Sequence, residues 1–248
     1  MSAAARSSPI VELRRYTLNP GTRETLIGIF DRHFVEGQEE LGMSIIGQFR
    51  DLDDPDAFVW LRGFADMAAR KQALTAFYSG PVWMANRDAA NATMITFDDV
   101  YLLQPAEPGG GFALNPAARP PLDAPGEAFT RIGGLITVNI ISVKDDAGEF
   151  AAWHRTNMLP VLQQAGADVL ARFVTSDAEN TYPALPVHTD RKVLTLFTRF
   201  PDRDSFDRFR AALAASKDWA AASKAAAAYV NGPPRTLRLS PTGRSALR

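Results

Sequence analysis

The chain has 248 residues, of which 22% are charged, with a formal net charge of −1, a length that suits one large domain or two of about 100 residues each. That balance supplies no long-range field to gather nucleic acid or an anionic membrane, so neither is expected as a partner. Cysteine is absent, which excludes disulfides, thiolate metal sites and a cysteine nucleophile together.

The opening MSAAARSSP has no apolar h-region, and no window reaches the roughly 18 apolar residues of a membrane helix. The expectation is a cytoplasmic protein without a membrane span. VELRRYTL (11–18) reads as a strand stopped by Asn19-Pro20-Gly21. TRETLIGIFDRHFVEGQEELG (22–42) then places Leu26, Phe30, His33 or Phe34, Gly37 and Leu41 at helical spacing. Thr22 stands at the N-cap of that helix and Gly42 at its C-cap. MSIIGQFRDL (43–52) and AFVWLRGF (57–64) read as two strands around the turn-forming DDPD. Asp66 caps a helix through Tyr78, Gly80-Pro81 breaks it, VWMANRDAAN restarts it, and VYLLQP (100–105) closes the half. The order β-α-β-β-α-β is that of a ferredoxin-like module.

Residues 106–128 are rich in proline, glycine and alanine and read as a linker. The same order then recurs: LITVNIISV (135–143), a helix over 147–166, DVLARFVT (168–175), KVLTLFTRF (192–200), a helix from Asp202, and RTLRLS (235–240). An offset of 124 takes Gly42 to Gly166 and overlays VELRRYTL on LITVNIIS; an offset of 136 takes Phe64 to Phe200, Asp66 to Asp202 and Trp83 to Trp219. The offsets differ by 12 residues, which fall in the connection TSDAENTYPALPVHTDR, where loop-closure entropy tolerates an insertion. The expected fold is α+β, two tandem ferredoxin-like modules (9–105 and 129–241) packed as an α/β barrel.

Four elements together resemble the NIPSNAP family. They are Tyr-x-x-x-Pro-Gly (Tyr16 to Gly21), Gly-Met-x-x-x-Gly-x-Phe (Gly42 to Phe49), Trp-x-x-x-Phe-x-Asp-x-x-x-Arg (Trp60 to Arg70) and the later Trp83. The resemblance covers residues 10–105 well and the second half more loosely. It implies the dimeric α/β-barrel fold, two ferredoxin-like sheets face to face, here built within one chain and leaving outer sheet edges for a homodimer. It implies no defined activity. At the matching offsets the second half has Leu196 for Trp60, Ile140 for Tyr16 and Arg199 for Gly63, so a site built on those side chains belongs to the first half.

His33, His154 and His188 are too widely spaced for a His-x-x-x-His metal motif. No protein-ligated metal and no cofactor is expected; a heme on His33 or His154 is the residual alternative. There is no Gly-x-Ser-x-Gly elbow or P-loop. Period-2 alternation puts Gln48 and Arg50 on one face of their strand, and Trp60 and Arg62 on one face of the next. The expectation is that a barrel buries this mixed face, leaving Gln48, Arg50, Trp60 and Arg62, with Tyr16, as inter-sheet packing or as substrate-binding residues. His33 is expected on the helix face that packs on the sheet, as a hydrogen-bonded core residue or as an acid–base group. Trp83 and Trp219 read as equivalent packing plugs. Two functions stay open. One is a small-molecule or protein binding module, with the 176–191 loop as a docking element; the other is a cofactor-independent enzyme of monooxygenase or proton-transfer type, acting on a small aromatic or anionic substrate in a barrel pocket.

Overall fold

A computed structural model describes residues 8–115, 119–124 and 134–248. The expected linker and the start of the second module lie partly outside the described residues. The first half runs β1 (Ile10–Leu18), α1 (Arg23–Ile29), a π-helical turn (Phe30–Phe34), α2 (Val35–Glu39), β2 (Ser44–Asp51), β3 (Ala57–Phe64), α3 (Met67–Ser79), α4 (Pro81–Asn91) and β4 (Met94–Pro105). The second runs β5 (Leu135–Ser142), α5 (Ala147–Asn157), α6 (Leu159–Gln164), β6 (Asp168–Thr175), β7 (Val193–Phe200), α7 (Arg203–Ala215), α8 (Lys217–Ala226) and β8 (Arg235–Pro241).

Local chemistry explains the boundaries. The Asp66 carboxylate accepts the Ala69 N–H at 2.7 Å, and Asp202 does the same for Ser205 at 2.7 Å, so both second helices start on an aspartate cap. Pro81 occupies the first turn of α4, where a missing N–H costs nothing. Thr22 stands at the N-cap position without capping through its side chain; its hydroxyl donates instead to the Asn19 and Thr93 carbonyls. β4 begins at Met94, earlier than Val100, because β1 extends its pairing to Thr17↔Thr96 and Leu18↔Met94 through two register shifts.

All pairings are antiparallel, and the eight strands close in the order β1-β3-β2-β8-β5-β7-β6-β4. Each half contributes a four-stranded sheet in ferredoxin-like order, β4-β1-β3-β2 and β8-β5-β7-β6. The sheets join edge to edge through Phe49↔Pro241 to Asp51↔Leu239 and through Leu103↔Thr175 to Pro105↔Phe173. The expected free outer edges are therefore consumed by closure.

The lumen is solid. Val11, Leu13, Phe49, Val59, Leu61, Val138, Phe173, Phe197 and Leu239 fill it with apolar side chains, as a small barrel requires. Phe112 and Leu114, from the stretch expected as a linker, and Leu247 from the C-terminal tail join the same core. The tail is anchored by Thr242 N–H to Gln48 O and Leu247 N–H to Ile46 O, both 2.8 Å. Gly47 admits it, since a Cβ there would lie 2.5 Å from the Phe49 ring and 2.9 Å from Ser245 Oγ. Among the described residues, neither of the cavities between sheet and helices is lined by this apolar core.

Register also corrects the repeat. Ile10 pairs with Phe64 and Leu135 with Phe200, so β1 superposes on β5 at an offset of 125, not 124. The extra residue lies in the Asn19-Pro20-Gly21 turn. A one-residue slip exchanges the faces of a strand: Glu12 corresponds to Thr137, Arg14 to Asn139 and Tyr16 to Ile141.

Candidate functional site

The face carrying Tyr16, Gln48, Trp60 and Arg62 points outward from the barrel and lies beneath the helices. This corrects the inter-sheet expectation: the lumen takes the opposite, apolar face. Between sheet and helices the two halves are built differently.

In the first half, Glu12 and Arg14 on β1, Arg62 on β3 and Arg70 on α3 are all 0% exposed. Glu12 Oε2 accepts from Arg14 Nη1 and Arg62 Nε, each at 2.8 Å, and Oε1 accepts from Arg70 Nε at 2.7 Å. Arg14 Nε donates to the Tyr16 hydroxyl at 3.0 Å, and Arg62 Nη1 donates to Gln38 Oε1 at 3.0 Å. The Trp60 ring lies 5.0 Å from the Arg62 guanidinium and 5.6 Å from that of Arg14, within cation–π range. Burial opposes ionisation of Glu12, but Arg62, Arg14 and Arg70 together hold its carboxyl far below the usual carboxylate range. The small cavity left here, about 40 Å³, is lined by aromatic side chains that include Tyr16 and Trp60.

The long β6–β7 connection from the other half covers this cluster. Asn180 Oδ1 accepts from Arg70 Nη1 at 2.9 Å, Tyr182 stacks on Tyr78 at 6.0 Å, and Leu185 is buried in the first-half core. The loop reaches across because closure sets β6 beside β4.

The second half has the same layers and a cavity of about 880 Å³ between them. Its floor is Thr137 and Asn139 on β5, Leu196 and Thr198 on β7, and Thr236 on β8, with part-exposed Arg238 of β8 at the rim; its walls include Phe150, His154, Phe206 and Trp219. Strand register matches Thr137, Asn139 and Thr198 to Glu12, Arg14 and Arg62, and the shared aspartate cap matches Phe206 to Arg70. The glycines at φ 88° and 104° that follow the first helices, Gly42 and Gly166, match His154 to Phe30. The connection that crosses this face is the short β2–β3 turn, which supplies only Asp53 at the rim, bound to Arg238 Nε at 2.9 Å.

His154 is 1% exposed, and its Nδ1 has no protein partner. Burial, with Arg172 nearby as a lesser cause, pushes its pKa down to about 3, so it is a neutral imidazole at pH 7. Among the described residues no three His, Asp or Glu side chains gather as a metal site, and no helix is long and apolar enough to cross a membrane.

The structure thus brings Tyr16, Trp60 and Arg62 together, with Gln48 opposite Trp60 in register and both of its amide atoms buried without partners. It leaves two candidates apart. Arg50 forms a two-pronged pair with Glu24 on α1 at 2.8 and 2.6 Å. His33 is exposed and lines neither cavity; the π turn holds one residue more than an α turn, so Phe34 takes the inward position expected for His33. Trp83 packs on Phe34, Phe77 and Tyr78, whereas Trp219 lines the large cavity. Glu12 and Arg14 in VELRRYTL join the site, and their i, i+2 spacing on the face of Tyr16 is the signal the sequence carries for them.

A NIPSNAP family model matches residues 11–107. Among solved structures, a Lactobacillus acidophilus protein with a provisional monooxygenase designation is 12% identical over 94% of this chain and 94% of its own, at a TM-score of 0.57. An anthrone oxidase-like protein is 12% identical over 97% of this chain and 94% of its own, at 0.54. At these identities the likeness is one of fold. A NIPSNAP-like domain protein from Burkholderia xenovorans is 23% identical over 38% of this chain and 81% of its own, at a TM-score of 0.35. No curated protein matches the chain. The family match over residues 11–107 falls on the segment that carries the Tyr16-to-Gly21, Gly42-to-Phe49 and Trp60-to-Arg70 elements, so it is this segment of the chain that is similar to the NIPSNAP family.

Proposed function

We propose that the chain is a small-molecule binding module whose ligand occupies the second-half cavity. The cavity itself carries the reading: about 880 Å³ lies within the range of small-molecule sites, and an apolar, aromatic wall with a few convergent polar groups is their usual lining. The first half supports the choice by contrast, since charges fill its equivalent space and a loop covers it. The 176–191 loop is packed against the first half through Tyr182, Leu185 and Val187, which favours a small ligand over a protein docked on that loop.

A second reading, a cofactor-independent enzyme of monooxygenase or proton-transfer type, draws on His154 in the cavity and on the designations of the fold neighbours. Burial pushes the His154 pKa well below its ordinary value, and an imidazole held that low is a weak base. Binding is the better supported role. Native mass spectrometry of the purified chain tests it, together with Leu196→Trp, which copies Trp60 into the cavity floor. Bound small molecule is expected on the wild type and not on the variant; equal retention by both sinks the assignment.

A further inference from the structure

Resting on the reading of this cavity as the ligand site, we infer that it selects its ligand by charge: the end that enters is an uncharged ring system bearing hydroxyl or carbonyl oxygen, and an anionic group is accepted only at the mouth. The inference comes from what replaces the first-half cluster. Four charged side chains there, Glu12, Arg14, Arg62 and Arg70, become Thr137, Asn139, Thr198 and Phe206 here, so the floor offers hydroxyls and an amide and no ion. Asn139 Oδ1 already accepts from the Thr236 hydroxyl at 2.7 Å, which leaves its amide N–H groups as donors for a ligand oxygen.

His154 adds a buried neutral imidazole whose Nδ1 is unpartnered, able to meet a hydroxyl or carbonyl in the matching tautomer. A carboxylate or ammonium pushed to this depth would lose its hydration and find no free opposite charge, since the nearby buried cation, Arg172, does not line the cavity and is already paired with Glu107 at 2.8 Å; that is the costliest kind of burial. The ring character follows from the walls, where Phe150, Phe206, Phe209 and Trp219 present aromatic surface. The charged groups sit at the rim. Asp53 and Arg238 neutralise each other, and exposed Arg210, whose guanidinium lies 5.8 Å from the Phe206 ring, is the cation that an outer anionic group would meet.

Three naphthalenes of one size make the test, by isothermal titration calorimetry on the full chain: 2,6-dihydroxynaphthalene, 6-hydroxy-2-naphthoate and 2,6-naphthalenedicarboxylate. The hydroxy acid can keep its carboxylate outside, whereas the diacid has no orientation that keeps charge off the floor. The diol and the hydroxy acid are expected to bind, the diacid roughly tenfold or more weaker, and Leu196→Trp is expected to lose all three. A diacid less than tenfold weaker than the diol overturns the charge selection while the cavity reading stands. No binding of any compound at about 1 mM, about the weak limit of useful affinity, or undiminished binding by Leu196→Trp, overturns both.

Discussion

The two halves of this molecule share strands, register, bulges and capping aspartates, yet one is filled and closed where the other is hollow and open. β2 and β6 carry the same register shift, between Ile45 and Gly47 and between Val169 and Ala171, so the frame is copied in detail. The contents of the space above the sheet are not. In the first half, three arginines meet around one carboxylate under a loop lent by the second. In the second half, their counterparts are short or apolar, and the loop returned by the first is a tight turn. The frame therefore sets where a cavity can lie, and a few side chains and one loop length decide whether there is one.

The strongest way to break the comparison is to remove the anion at the centre of the filled half. Glu12 accepts from three arginines that are all 0% exposed. Glu12→Gln keeps the shape and leaves three buried guanidinium groups without a counter-charge, so the chain is expected to lose about 3–5 kcal/mol of stability, read from urea denaturation. A loss below about 1 kcal/mol would mean that this cluster is not what holds the first half together.

The hollow half answers to acid instead. His154 has its folded pKa pushed to about 3, below the unfolded value near 6.5. Between these values the unfolded chain binds the extra proton, so stability falls as pH drops through 6.5. The loss attributable to this residue is expected to be about 2 kcal/mol between pH 7 and pH 5. His154→Phe installs the first half's Phe30 and should abolish that component. The difference between wild type and variant isolates it from Asp31, whose carboxyl burial pushes up to about 6 and whose contribution has the opposite sign. Parallel pH profiles for the two proteins would count against a buried neutral imidazole.

The loop tests closure. Asn180→Ala removes the amide oxygen that accepts from Arg70 Nη1 at 2.9 Å and from the Tyr182 N–H at 3.1 Å, and leaves Arg70 Nη1 only the long contact to the Thr181 hydroxyl at 3.5 Å. A cost of about 1–3 kcal/mol is expected, with faster hydrogen exchange over 176–191. No change in that exchange would show that the loop is held by Leu185 and Tyr182 alone.

How much of this the sequence disclosed depends on the kind of feature. Element order, the aspartate caps and the 12-residue hairpin insertion are local signals and stand in the structure where the residues put them. The direction of the polar face did not follow from alternation, because period 2 says which residues share a face and not which face meets the helices. The match of β1 to β5 failed by one residue, since a turn length shifts parity without changing the apolar pattern. His33 is turned outward by a π turn that no residue type announces. The cavity was hidden for a different reason: it is made by what Thr137, Asn139, Thr198 and Phe206 lack, and only the corrected register sets each beside the charge it replaces.

The smallest expected effect is at the rim of the open half. Asp53 and Arg238 are paired across the junction of the two sheets, with side chains 46% and 28% exposed, and ion pairs at such exposure contribute from nothing to about 1 kcal/mol. Asp53→Ala is expected to change the urea midpoint hardly at all. It does, however, free the guanidinium of Arg238 at the cavity mouth, where it joins Arg210 as a second cation. A ligand with an outer carboxylate should then bind a few-fold more tightly, an advantage that shrinks with added salt, while an uncharged one should be unaffected. If the uncharged ligand gains as much as the acid, the substitution has altered access and not charge, and the short turn acts as a gate on the cavity in the position where the longer loop of the other half acts as a cover.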